Sequence, residues 1–227
     1  MIQYFLAAFT GLVANLTLKI EIRGLDNIPR SGALIVTANH IGWVDPPLLR
    51  WAIGRRIRYM AKIELFTWTI SGLAVRLFDA FPVRRGGSDR IALRRALRLL
   101  ESGEVLGMFP EGTRSRNLKL AKGHPGIAMV ALRSGAPILP VGIVGTNRML
   151  KWPDLILRNR RVIFNVGEPF VLSRDDGSYQ DATRSIMLKI AKLLPSEMRG
   201  YYADENDQSR EGAPAGAGLV PEAVTKS

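Results

Sequence analysis

Residues Ala33–Pro47 read ALIVTANHIGWVDPP. The apolar run Ala33–Ala38 predicts a short buried strand. Asp45-Pro46-Pro47 predicts a helix start, with the helix running from about Pro46 to Ile53. Between them lies a loop that holds His40, one of two histidines in the chain. A residue just past a strand end is where a reactive side chain belongs in an α/β sheet. Asp45 follows His40 by five positions, which on a helix would set the two about 140° apart. They can meet only if the chain turns, and Gly42 permits a turn. Two readings stand side by side. Asp45 orients His40 as a base, or Asp45 is the N-cap of the helix that follows.

The same alternation continues along the chain. Lys19–Arg23 alternates like a strand, and Ile57–Met60, Phe78–Val83, Val105–Phe109, Pro137–Ile143 and Arg161–Val166 read as further strands. Helical pieces are expected over 62–77, 88–101, 125–134 and 178–194. The clearest is Ser88–Glu101, with Ser88 as cap, Leu93, Ala96, Leu97 and Leu100 on one face and Arg90, Arg94 and Arg98 on another. Strands alternating with helices predict a mostly parallel mixed α/β sheet flanked by helices on both faces.

The 227 residues suffice for one such domain with a sizeable core, and 47% apolar content excludes a disordered chain. The absence of cysteine removes disulfides, thiolate nucleophiles and thiolate-bound zinc. Net charge is +12, from 32 basic and 20 acidic residues. Residues 201–227 hold five acids and two bases, which leaves 30 basic and 15 acidic residues in the first 200, a net +15. Such a surface suits a polyanionic partner: nucleic acid, anionic membrane or a phosphorylated substrate. Aromatics are only 7% and do not alternate with basic residues, and no zinc-finger or RNA-recognition signature appears, so nucleic acid is not expected. Residues 201–227, rich in Ala, Gly, Pro and acids, are expected to be a disordered tail.

The N-terminus, MIQYFLAAFTGLVANLTLK, has no charge before Lys19. It lacks the basic start and cleavage site of a secretory signal, and polar residues interrupt it as a spanning helix. Residues 1–17 are therefore expected to form a helix lying in a membrane interface, ahead of a domain at 18–200.

Three further stretches follow predicted strands or frame a pocket. Phe109–Ser115 (FPEGTRS) carries a glycine that lets backbone approach a ligand, hydroxyls on Thr113 and Ser115, and the planar fork of Arg114, suited to phosphate. Phe81–Arg85 (FPVRR) ends in two arginines that can hold a phosphate or form a solvated corner. Ala136–Val141 (APILPV) is apolar and structural. His124, in a Lys-Gly-His-Pro-Gly turn, reads as an exposed loop residue. Two histidines and scattered carboxylates make no metal-ligand set.

NHIGWVD, FPVRR, FPEGTRS and APILPV, in this order and spacing, resemble the four blocks of the glycerolipid acyltransferases, over about Gly24 to Val166. The resemblance implies that fold and acyl transfer to 1-acylglycerol 3-phosphate, giving phosphatidic acid in phospholipid biosynthesis. It places the family's catalytic histidine and aspartate on His40 and Asp45. The phosphate-binding residues fall on Arg85, Arg114, Glu111, Gly112 and Thr113. Arg84 stands where members often have a carboxylate, so either arginine can meet phosphate. Asn39 matches the residue before the family's histidine, and Lys122 and Gly126 loosely match a Lys/Gly pattern. No cofactor is implied. The co-substrate is acyl-CoA or acyl-carrier protein, the acceptor a lysophospholipid, and the place of action an anionic membrane surface. That is the cytoplasmic face of the cell membrane, bound peripherally or monotopically. Oxyanion donors are expected among backbone N–H groups near Gly112 or Gly142. The rival readings are an acyltransferase for another lysolipid or for glycerol 3-phosphate, and a non-catalytic basic protein that binds lipid or nucleic acid.

Overall fold

In the computed structural model, residues 10–12, 16, 18–67, 69–84, 89–148, 160–173 and 177–203 are described. Seven strands form one sheet in the order β1-β7-β6-β2-β5-β3-β4. They are β1 (Leu18–Arg23), β2 (Leu34–Ala38), β3 (Ile57–Lys62), β4 (Phe81–Val83), β5 (Val105–Met108), β6 (Ile138–Val144) and β7 (Arg160–Val166). Strands β2 to β6 run parallel; β7 is antiparallel to β6, and β1 runs parallel to β7. The expected mixed, mostly parallel sheet is present.

Side chains alternate across β2. Leu34, Val36 and Ala38 join one core cluster, Ile35 the other. Against the first face packs α1 (Asp45–Ile53), through Leu48, Leu49, Ala52 and Ile53. Helices α3 (Arg90–Glu101), α4 (Gly126–Ser134) and α5 (Tyr179–Lys192) cover the other. Helix α2 (Thr69–Leu77) lies between β3 and β4 in the chain. Strand β2 is buried at all five positions, which explains an apolar run that only Thr37 interrupts.

Helix α3 starts two residues later than its sequence predicts. Asp89 is the cap, its carboxylate accepting the N–H groups of Ile91 and Ala92 at 3.1 and 2.9 Å. Those bonds, led by Ala92, hold its pKa below the ordinary aspartate value. The buried stripe is Ala92, Ala96, Leu99 and Leu100, rotated from the expected one. Helix α5 opens on a Ser178/Asp181 capping box. At the far end Tyr202 is buried and its hydroxyl accepts the N–H of Gly123 at 3.1 Å, so the domain extends past 200 to include it.

Most of the expected interfacial helix lies outside the described residues. Within it, Gly11 fits against the Trp51 indole of α1, where a Cβ would stand 2.1 Å from the indole nitrogen, and Leu12 and Leu16 are exposed. Among the described residues no helix is long and apolar enough to cross a membrane.

This topology assembles the site. Because β2, β4, β5 and β6 are parallel, the loops after them leave the same edge of the sheet. The chain after β2 enters α1 on one face, and the chain after β5 enters α4 on the other. The crevice between diverging loops is where open α/β sheets bind ligands.

Candidate active site

The loop after β2 is fixed from below by Asn39. Its buried side chain donates to the Ile143 carbonyl (2.9 Å) and accepts the Ile143 N–H (2.7 Å), extending the β2–β6 ladder by one side chain. Asp45 then closes the loop. It is the first residue of α1, not its cap; the N-cap position is Val44. Its carboxylate, 0% exposed, points back into the loop. Oδ2 accepts the Ile41 and Gly42 N–H groups, each at 2.7 Å, and faces His40 Nδ1 at 2.7 Å. An ionised carboxylate only accepts, so Nδ1 carries the hydrogen in this contact, and in the neutral imidazole Nε2 is then the nitrogen with the lone pair. The turn that five-residue spacing required is made by these two backbone bonds.

His40 is held on three further sides. Its ring stacks on Phe109 at 4.2 Å between centroids, with 22° between planes. Its N–H donates to Glu111 Oε1 (3.0 Å), and its carbonyl accepts the Ser115 N–H (2.7 Å). The loops after β2 and β5 are thus stitched together at His40 itself.

Glu111 is 3% exposed. Its second oxygen accepts the Ala121 N–H at 2.9 Å. Both oxygens therefore brace backbone, a role the sequence did not suggest. Burial pushes its pKa up, against the pull of those two bonds. With the folded value above the ordinary 4.5, the stability it contributes is present below 4.5 and lost as pH rises through the folded value. Glu111→Ala leaves two N–H groups without their acceptor, at about 1–3 kcal/mol each. Urea denaturation should show a lower midpoint with unchanged slope, and the Glu111 contribution to acid-range pH dependence should vanish.

The other candidates spread around this centre. Arg114 lies 3.6 Å over the ring of Trp43, which is 58% exposed. Desolvation lowers the Arg114 pKa, with Asp45 opposing. Thr113 is exposed. Gly112 has φ 68°, which glycine adopts without strain, and its N–H closes a turn on the Phe109 carbonyl at 3.0 Å. Gly142 sits inside β6, where a Cβ would stand 2.7 Å from the Leu193 carbonyl. Gly112 has thus committed its N–H, and Gly142 is packed against Leu193. Arg84 is exposed, with its N–H on Asp89 Oδ2 at 2.9 Å. Arg85 lies outside the described residues. His124 is exposed, and its imidazole passes so close to Gly112 that a Cβ there would be 2.9 Å away. Among the described residues no three His, Asp or Glu side chains gather as metal ligands.

The residue that the sequence did not single out is Thr146, just past β6 and 2% exposed. Its hydroxyl donates to Asp45 Oδ1 at 2.5 Å. Gly42 is pressed against it, and a Cβ at 42 would stand 2.6 Å from the Thr146 carbonyl oxygen. Gly42→Ala should force these two loops apart, at about 1–3 kcal/mol of overpacking. A lower thermal midpoint together with reduced activity checks it.

A histidine held against a buried carboxylate, at the C-terminal edge of a mostly parallel sheet, defines a class of site in which an imidazole can serve as a base. Comparison with known proteins specifies the class. The family model described as Acyltransferase matches residues 19–144, and the chain belongs to that family. The resemblance carried by NHIGWVD, FPVRR, FPEGTRS and APILPV holds at this level.

A 1-acyl-sn-glycerol-3-phosphate acyltransferase of Bacillus subtilis is 32% identical over 143 residues, covering 62% of this chain and 70% of that one. The chloroplastic enzyme of that name from Arabidopsis thaliana is 30% identical over 135 residues, or 58% of this chain and 38% of its own. The chain thus spans about two fifths of that relative's length. A lyso-ornithine lipid O-acyltransferase of Pseudomonas aeruginosa is 32% identical over 127 residues, 56% of this chain and 48% of that one. The crystal structure of the 1-acyl-sn-glycerophosphate acyltransferase of Thermotoga maritima superposes with a TM-score of 0.66 at 26% identity, over 84% of this chain and 78% of the other.

Proposed function

We propose that this chain transfers a fatty acyl group from the thioester of acyl-CoA or acyl-carrier protein to the free hydroxyl of 1-acylglycerol 3-phosphate, giving phosphatidic acid. The observation that carries the reading is the 2.7 Å contact between His40 Nδ1 and the buried Asp45 carboxylate, in a chain of this family. An alcohol is a poor nucleophile at neutral pH. His40 Nε2 removes its proton as the oxygen attacks the thioester carbonyl, which is worth about 10²–10⁴ in rate. Asp45 stabilises the imidazolium that forms. As the tetrahedral intermediate collapses, the carbon–sulfur bond breaks and the imidazolium returns the proton to the leaving thiolate. The thioester is already activated, so no covalent acyl-enzyme is required.

Arg114, with Arg84 and its sequence neighbour Arg85, supplies cations for the acceptor's phosphate. Glu111 serves by holding the His40 backbone rather than by touching phosphate. The acceptor resides in a bilayer, and we place residues 1–17 in its interface on the cytoplasmic face, with the exposed Trp43 and Leu73 facing the same lipid.

The test is acyl transfer by purified protein in mixed micelles, with labelled acyl donor and a panel of acceptors: 1-acylglycerol 3-phosphate, glycerol 3-phosphate, lyso-ornithine lipid and lysophosphatidylcholine. Label in phosphatidic acid above all other products is expected. Preferential labelling of ornithine lipid, the acceptor named for the Pseudomonas relative, would replace the acceptor assignment but keep the chemistry. No transfer to any acceptor would favour the lipid-binding rival.

A further inference from the structure

The two oxygens of Asp45 are used unequally. Oδ2 meets His40 Nδ1 and two backbone N–H groups, all from its own loop. Oδ1 receives a hydroxyl from a different part of the chain, 101 residues away. Torsion about a carboxylate's terminal bond is soft and roughly two-fold. With all partners on one oxygen, the carboxylate plane could rock about that oxygen and carry the imidazole with it. A short, charge-assisted bond to the second oxygen stops this rotation. Thr146 is rigidly placed to supply it. It stands two residues past the end of β6, it is buried, and Gly42 lies against its carbonyl, so any larger residue at 42 would push the hydroxyl out of reach.

We propose that Thr146 is a positioning residue of the His40–Asp45 pair: its hydroxyl fixes the plane of the Asp45 carboxylate and, through it, the aim of His40 Nε2 at the acceptor hydroxyl. The inference rests on the acyl-transfer reading above. It makes the site a three-loop assembly, drawing on the ends of β2, β5 and β6. It also assigns a function to a Gly-Thr-Asn-Arg segment that carries no chemistry in sequence terms.

The test compares Thr146→Val, which keeps shape and removes the hydroxyl, with Thr146→Ser, which keeps the hydroxyl and removes the methyl. Both are measured for kcat and acceptor KM, alone and in an Asp45→Asn background, beside His40→Ala. Losing one hydrogen bond to a charged group should lower kcat about 10-fold in Thr146→Val, with KM changed less than about 2-fold. Thr146→Ser should retain wild-type kcat to within about 3-fold. In the Asp45→Asn background, Thr146→Val should cost less than about 3-fold more, because the charge-assisted bond is already gone and only a neutral amide is left for Thr146 to hold.

Wild-type kcat in Thr146→Val, an equal loss in both backgrounds, or failure of Ser to substitute would each overturn the proposal in favour of packing. If Thr146→Val is silent while His40→Ala is inactive, only the Thr146 role fails. If His40→Ala is fully active, the acyl-transfer mechanism fails and the Thr146 role with it. Thr146→Ala supplies the same comparison should the Val protein not fold.

Discussion

Asp45→Asn is expected to lower kcat by about 10²–10⁴ while leaving the fold intact. The amide is nearly isosteric with the carboxylate, and the surrounding donors dictate how it sits. Its oxygen must take the position of Oδ2, where Ile41 N–H, Gly42 N–H and His40 Nδ1 converge. Its NH2 then faces Thr146 Oγ1, which can accept as readily as it donates. No buried group loses a partner, so the helix start and the loop persist. What disappears is the negative charge that, in the proposed mechanism, stabilises the imidazolium formed when His40 takes the acceptor's proton. A thermal midpoint near wild type with activity down by two or more orders of magnitude would separate this electrostatic role from a structural one. Full activity would show that Asp45 merely ties the loop to α1.

The β2–loop–α1 unit was legible because its signals are local. An apolar run buried on both faces of a sheet and a pair of prolines in a first helical turn are each written in consecutive residues. Whether His40 and Asp45 meet was not legible from spacing. It depends on two backbone N–H groups folding onto one carboxylate oxygen, and such bonds carry no sequence signature. The choice between orienting residue and helix cap also dissolves in three dimensions. Asp45 begins the helix and orients the histidine, because its side chain turns back into the loop instead of over the first helical turn.

The placement of Glu111 was hidden for a related reason. A carboxylate in a Gly-Thr-Arg loop reads as facing solvent or substrate. Two loops that leave the sheet edge in opposite directions, however, carry backbone N–H groups needing acceptors, and Glu111 serves one on each side. Thr146 was invisible because it acts across 101 residues, through the β2–β6 pairing that only the topology reveals. The Arg114–Trp43 contact joins the same two loops and was equally hidden. The motifs therefore named His40, Asp45 and Glu111, which the fold brings together at the sheet edge, while the bonds that join their loops come from the topology.

His40→Ala carries the second large expected effect. The main-chain bonds of residue 40, to Glu111 Oε1 and from Ser115 N–H, do not involve the ring and survive the substitution. The imidazole is 17% exposed, so its removal opens a notch at the rim rather than a sealed cavity. Stability should fall modestly, through the lost stacking on Phe109. On the proposed mechanism activity should fall far more, because among the described residues the other histidine is not placed to take over. His124 is exposed and lies beside Gly112, in a different loop.

The most direct measurement is the initial rate of acyl transfer from labelled acyl donor to 1-acylglycerol 3-phosphate, by wild type and by His40→Ala at matched, circular-dichroism-verified folding. The account predicts labelled phosphatidic acid from the wild type and a rate at least about 10²-fold lower from the variant. Equal rates from the two proteins would contradict it.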